Sequence, residues 1–159
     1  MKYLFAFALS LSLLGAGCVP NQSTTNSAPD PAGLPKGTAL NLSGEGLTSI
    51  PSSVFSRTEL TSLDLSANRL TGAPQAEIRH LQALQTLDLS NNQLTGLPAE
   101  LGQLKNLVTL DVSNNQLTGL PLELGNLTQL RVLDVSGNDY SKQDLDQIAA
   151  KLTKTDIRR

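Results

Sequence analysis

The chain has 159 residues, 39% of them hydrophobic and 16% charged, a length that fits one small domain and excludes two large ones. Its 12 lysines and arginines stand against 14 aspartates and glutamates, and a formal charge of −2 leaves no basic field for nucleic acid. With Cys18 and His80 as its only cysteine and histidine, the chain cannot build an internal disulfide or a cysteine–histidine zinc cage. We therefore expect no nucleic-acid partner, no metal and no cofactor.

The first 17 residues have the layout of a secretory signal: one lysine, an apolar stretch and a run of small residues. The apolar stretch is shorter than the roughly 20 residues that a membrane-spanning helix needs. Because Cys18 follows the small residues directly, residues 1–17 resemble a bacterial lipoprotein signal peptide, although Gly15 stands where that class most often has leucine. The resemblance implies that Cys18 is lipidated and becomes the mature N-terminus. The alternative is ordinary secretory cleavage nearby, which leaves Cys18 as a free thiol.

Residues 18–37 are predicted to be the lipidated cysteine and a flexible tether. The segment is rich in Pro, Ser, Thr and Asn and has too few large apolar side chains to offset the entropy of ordering it. A tether of this length has an r.m.s. reach of roughly 25 Å. The expected location is the cell envelope. Val19, rather than an aspartate, follows Cys18, and by the same resemblance this favours the outer membrane or the cell surface.

Residues 38–159 are predicted to form one domain of about five repeats. Segments such as LDLSANRLTGAP and LDLSNNQLTGLP recur with spacings of 23, 24, 23 and 23 residues, and their first residues are Leu40, Leu63, Leu87, Leu110 and Leu133. This pattern resembles the leucine-rich repeat family, in its class LPxxLxxLxxLxxLxLxxNxL. The resemblance implies an α/β fold: a solenoid with a parallel concave β-sheet, short 3₁₀ or irregular convex returns and a C-terminal capping helix.

Each recurring residue has a physical reason. Leu87 and Leu89 alternate with polar residues, as in a half-buried strand. An asparagine follows each later strand at a bend, where its amide can satisfy backbone groups of neighbouring repeats. These asparagines are predicted to form a structural ladder: Asn68, Asn92, Asn115 and Asn138. Glu45 takes this position in the first repeat, which we interpret as an irregular N-terminal cap.

The returns and the C-terminal end also carry recognisable sequence patterns. A proline ends each strand-and-turn half because it cannot donate to a continuing ladder, and leucines then recur every three residues. The extra residue of the 24-residue repeat is expected in its return, around Gln75–Glu77. Residues 139–159 are predicted to cap the solenoid with a helix that starts at Ser141 and a short final strand at residues 155–158.

The outward strand positions form columns on the predicted concave face. The candidates for a binding face are Ser62, Thr86 and Thr109 in the first column, Asp64, Asp88, Asp111 and Asp134 in the second, Ser66, Ser90 and Ser113 in the third, and Arg69 near the strand ends. The aspartates would make a negative stripe that attracts a basic peptide or loosely holds a hard cation such as calcium. The alternative is that they supply only solubility and local hydrogen bonds, as in ordinary repeats of this family.

The leading functional hypothesis is a non-catalytic module, tethered to the membrane, that binds a protein or peptide of unknown identity at the bacterial cell envelope. The repeat resemblance supplies most of this hypothesis, because a fold alone does not fix a function. We expect no small-molecule substrate. The alternative is a structural envelope lipoprotein that acts as a spacer or packing element. An enzyme is disfavoured, because no residues remain for a catalytic domain and Cys18 belongs to the signal.

Overall fold

The computed structural model describes residues 38–159, so the predicted signal, Cys18 and tether lie outside the described residues. The strands, in chain order, are β1 (Ala39–Asn41), β2 (Ser62–Asp64), β3 (Thr71–Gly72), β4 (Thr86–Asp88), β5 (Gln93–Leu94), β6 (Thr109–Asp111), β7 (Val132–Asp134) and β8 (Asp156–Arg158). One α-helix, α1 (Lys142–Lys151), precedes the last strand. Repeats 1 to 5 are numbered from their first leucines, which are Leu40, Leu63, Leu87, Leu110 and Leu133.

Six of the strands form one parallel sheet in the order β1-β2-β4-β6-β7-β8. The leucine that begins each repeat pairs with its equivalent in the next, as Leu63 pairs with Leu87 and Leu87 with Leu110. In each strand of repeats 2 to 5 this leucine is fully buried and its two neighbours are half-buried. The alternation predicted from the sequence is therefore confirmed, and the solenoid has one strand from each repeat on its concave face.

The returns are 3₁₀ turns, as predicted, at Ser52–Ser56, Ala76–His80, Ala99–Gln103 and Leu122–Asn126. Each contributes one side chain with no exposed surface to the core, for example Ile78 and Leu101. In repeat 2 the extra residue is Gln75, which stands between Pro74 and the turn and whose side-chain Nε2 donates to Ile50 O at 3.1 Å. Because the insertion lies in the return, β2 and β4 keep their register.

The asparagines after the strands join neighbouring repeats through both ends of their side chains. Asn92 Nδ2 donates to Leu65 O of repeat 2 at 3.0 Å and to Leu89 O of its own repeat at 3.1 Å. Its Oδ1 accepts the N–H of Leu70 of repeat 2 at 3.0 Å. The same pattern recurs at the other three positions, Asn68, Asn115 and Asn138. Glu45, at the equivalent place in repeat 1, is exposed.

Two local features were not predicted from the sequence. The first is a second parallel sheet of two strands, β3 and β5, on the flank that follows the ladder. The second is a left-handed backbone at the residue before each of three ladder asparagines, with φ of 54° at Ala67, 55° at Asn91 and 52° at Asn114. Asparagine tolerates this conformation better than most residues, so Asn91 and Asn114 serve the turn itself.

The C-terminal cap is confirmed. Helix α1 begins after Ser141, whose hydroxyl oxygen accepts the N–H of Asp144 at 3.4 Å, and it buries Leu145 and Ile148. Strand β8 then pairs with β7 and adds a sixth strand to the main sheet. No helix within residues 38–159 is both long and apolar enough to cross a membrane.

Candidate functional site: the concave strand face

The strands hold the candidate residues in straight columns, because every pairing in the main sheet is in register. Ser62 pairs with Thr86 and Thr86 with Thr109, so that the first column advances by one strand spacing of about 4.8 Å per repeat. The second column is likewise continuous through the pairs of Asp64 with Asp88 and Asp88 with Asp111. All members of these two columns in repeats 2 to 5 are half-buried.

Each aspartate is held in place by the turn that follows its strand. The N–H of Ser66 donates to Asp64 Oδ1 at 2.9 Å, and its hydroxyl donates to the same oxygen at 2.7 Å. Asp88, Asp111 and Asp134 accept the N–H of the serine two residues later in the same way, at 2.9, 2.9 and 3.1 Å. One carboxylate oxygen therefore closes the turn while the other can meet a partner, and both roles considered for these aspartates have a geometric basis.

Two members of the third column are less accessible than the other candidate residues. Ser90 and Ser113 are buried, with 6% and 7% of their surface exposed, whereas Ser66, at the same position in repeat 2, is half-buried. Asn91 Nδ2 also donates to the Ser90 hydroxyl oxygen at 3.2 Å. Arg69 is exposed but follows the ladder residue and leads into β3, so that it stands beside the sheet instead of on it. The strand face consists chiefly of the first two columns.

Two arginines near this face were not among the binding-face candidates selected from the sequence. Strand β8 places Arg158 next to Asp134 in the second column, and Arg158 Nη1 lies 3.8 Å from Asp134 Oδ2. Arg158 Nε also lies 3.3 Å from Asp156 Oδ2. The negative stripe is thus uncompensated only at Asp64, Asp88 and Asp111. Extending the strand register by one more repeat of 24 residues would have placed Arg158 in this column.

The second missed residue is Arg131, which is exposed at the start of β7. Arg131 directly precedes Val132, the first-column residue of its strand. The alternation of buried and half-buried residues in the strands does not by itself predict that this position is exposed. The half-buried Val108 occupies this position in repeat 4, and the N–H of Arg131 donates to Val108 O at 2.8 Å. Arg131 thus places one exposed cation on the margin where the strands begin, opposite the margin where the aspartates lie.

Within the part of the chain that the structure describes, no group of three or more acidic, histidine or cysteine side chains is placed to hold a metal ion. The aspartates stand in a row along the sheet and do not converge on a point. His80 is exposed at the end of a convex 3₁₀ turn. In repeats 2 to 5 the first two columns present hydroxyl and carboxylate groups, together with Val132.

These features define a solenoid repeat protein with an open face of parallel strands. The family model for leucine rich repeats matches three overlapping stretches, residues 35–94, 58–117 and 82–139. The chain belongs to the leucine-rich repeat family. No curated protein matches its sequence significantly.

Solved structures agree in fold and sequence. A leucine-rich repeat protein of Leptospira interrogans is 40% identical with a TM-score of 0.67, over 70% of this chain and 28% of that one. A chain of the BIR3–SERK2 complex from Arabidopsis thaliana is 40% identical with a TM-score of 0.59, over 64% of this chain and 56% of that one. The plant peptide hormone receptor RGFR1, solved in complex with RGF2, is 32% identical with a TM-score of 0.59, over 69% and 18%. The chain thus spans less than two thirds of the length of these proteins.

Proposed function

We propose that this chain is a non-catalytic leucine-rich repeat module, tethered to the membrane through Cys18, whose concave face binds a protein or peptide at the bacterial cell envelope. The observation that carries the binding role is the strand face itself: two in-register columns whose half-buried aspartates are fixed by turn hydrogen bonds through one carboxylate oxygen, Oδ1. Proteins of this family generally mediate protein–protein interaction, and two of the similar solved structures are complexes with a protein or a peptide hormone.

The composition of the face indicates modest affinity. Interfaces of high affinity usually centre on Trp, Tyr or Arg anchors. Among residues 38–159, Phe55 is buried in a return and Tyr140 packs against the core, so that no aromatic side chain lies on the strand face. Binding would then depend on charge and on the regular spacing of small polar groups.

The acidic column provides a test of this function. Affinity capture with residues 19–159 identifies the partner, and Asp88→Asn/Asp111→Asn is then compared with the unchanged chain. We expect affinity to fall by about threefold to tenfold at low salt and its salt dependence to flatten, because exposed charges act through screened attraction. Asn41 already accepts the N–H of Ser43 at 2.8 Å in the equivalent turn, so the free energy of unfolding should change by less than about 0.5 kcal/mol.

Two glutamates on the convex turns provide the control. Glu77→Gln/Glu100→Gln removes the same charge from the other face of the solenoid, where Glu77 and Glu100 lie in the first turns of their 3₁₀ segments. This variant should bind as the unchanged chain does. If the aspartate variant keeps its affinity from low to high salt, the stripe does not recognise the partner.

The membrane tether rests on the sequence of residues 1–18 and is tested separately. Cys18→Ser should move the protein from the detergent phase to the aqueous phase in a detergent partition experiment, because acyl chains contribute about 0.8 kcal/mol per buried CH₂ and no other strong membrane affinity is proposed. A Cys18→Ser protein that still partitions into detergent would show that lipidation is the wrong explanation.

A further inference from the structure

A shallow depression lies where the strands of repeats 3 to 5 begin, on the margin opposite the aspartates. It is lined by Gln85, Lys105, Asn106, Val108, Thr128 and Gln129. Val108 is half-buried there, and the half-buried Val132 follows on the next repeat, where the N–H of Val132 donates to Val108 O at 3.1 Å. The two valines are branched apolar side chains on a face that is otherwise polar, and no carboxylate lines the depression.

Two cations lie beside these valines, and the one carboxylate beside them, Asp156, pairs with Val132 in the sheet and has its Oδ2 3.3 Å from Arg158 Nε. Lys105 Nζ donates to Gly102 O at 2.7 Å and to Asn126 O at 3.2 Å, so the lysine is held at this margin by two backbone carbonyls. The exposed Arg131 is adjacent, and none of the salt bridges found within residues 38–159 includes it. We call Lys105, Val108, Arg131 and Val132 together the start-side patch.

We propose that the start-side patch anchors an extended acidic segment of the protein partner, with an aliphatic side chain over the valines and a carboxylate on Arg131; this inference rests on the proposed function and names the partner's chemistry. A planar guanidinium can take a carboxylate through two parallel hydrogen bonds, and arginine is enriched among the anchors of interfaces. The occupant follows from charge complementarity. The patch offers two cations, the depression has no acidic side chain in its lining, and the neighbouring Asp156 is already paired with Arg158.

The patch also fixes the direction of a partner that reaches both margins. Asp64, Asp88 and Asp111 lie at the ends of their strands, and the start-side patch lies at the beginnings of neighbouring strands. A segment that spans the face is then bound with its acidic, aliphatic part at the strand starts and its basic part at the strand ends.

The test uses two synthetic peptides of about eight residues, each with serines, one leucine and two charged residues after the leucine. The charged residues are glutamates in one peptide and lysines in the other. Each is titrated to about 1 mM into residues 19–159 with methyl-labelled valines. We expect the glutamate peptide to shift the Val108 and Val132 methyl signals and to bind at least threefold more tightly than the lysine peptide.

Charge reversal at two arginines makes the test specific. Arg131→Glu should reverse the preference between the peptides, whereas Arg69→Glu, the same change at an exposed arginine beside the sheet, should leave it intact. No methyl shift, or a preference that survives Arg131→Glu, would overturn the proposed anchor. Either failure leaves the proposed function standing if the captured partner still depends on Asp88 and Asp111, so the two ideas fail separately.

Discussion

Asn92→Ala and Asn115→Ala should each lower the free energy of unfolding by about 3 kcal/mol, because each buried backbone group left without a partner costs roughly 1–3 kcal/mol. In Asn115, Nδ2 donates to Leu89 O and Val112 O, both at 3.0 Å, and Oδ1 accepts the N–H of Leu94 at 3.0 Å. Nδ2 also donates to Ser113 O at 3.1 Å, and all four bonds are lost together. Urea denaturation followed by circular dichroism measures the loss, and Asn138→Ala, at a half-buried rung, should cost less.

The matched control lies one residue earlier. Asn91 is exposed, and Ala67 adopts φ of 54° at the equivalent place in repeat 2, so alanine is already accepted in this left-handed position. Asn91→Ala should therefore cost no more than about 1 kcal/mol. Equal losses for Asn91→Ala and Asn92→Ala would contradict the assignment of the ladder.

Gly102→Ala should also destabilise the domain strongly, by about 3 kcal/mol, because the backbones of two 3₁₀ turns touch at this position. A Cβ on Gly102 would lie 2.7 Å from the carbonyl carbon and 2.8 Å from Cβ of Glu123 in the next repeat, and still closer to the Glu123 carbonyl oxygen. Backbone cannot move aside as a flexible side chain can, and overpacking of this kind typically costs about 1–3 kcal/mol, occasionally more. The midpoint of urea denaturation reports the loss.

Alanine substitutions at two other glycines serve as controls for Gly102→Ala. Gly96→Ala places its Cβ 4.0 Å from Ala73 Cβ, which is ordinary contact, so the variant should be as stable as the unchanged chain or slightly more so. Gly125→Ala meets chiefly the side chain of Lys151, with Cδ at 2.6 Å, and the lysine can rearrange. If Gly102→Ala lowered the free energy of unfolding no more than Gly96→Ala does, the close approach of the two turns would be contradicted.

The periodic part of the fold could be predicted from the sequence because each repeat carries the same local chemistry. Leu87 and Leu89 fix which face of a strand is inward, Asn92 fixes the bend, and a 23-residue period stacks identical positions in register. The insertion at Gln75 was also predictable, since one extra residue fits in a return without disturbing strands. Helix α1 and strand β8 followed from ordinary capping and alternation signals.

The remaining features depend on distances between neighbouring repeats, and the repeat period in the sequence does not determine these distances. The need for glycine at 102, for example, comes from the approach of the backbone of the next repeat. Arg158 neutralises the end of the acidic column only because β8 pairs in register with β7. Arg131 was missed because it lies just before a strand, and the alternation within the strand does not predict whether that position is exposed.

The placement of the binding site on the strand face is the central claim, and site-specific photocrosslinking to the captured partner tests it most directly. A photoreactive phenylalanine derivative is placed at Thr86, in the first column, and separately at Gln103, which is exposed at the end of a convex turn. We expect a partner adduct from position 86 and none from position 103. An adduct from position 103 together with none from position 86 would place the binding surface on the convex side and contradict the proposed function of the concave face.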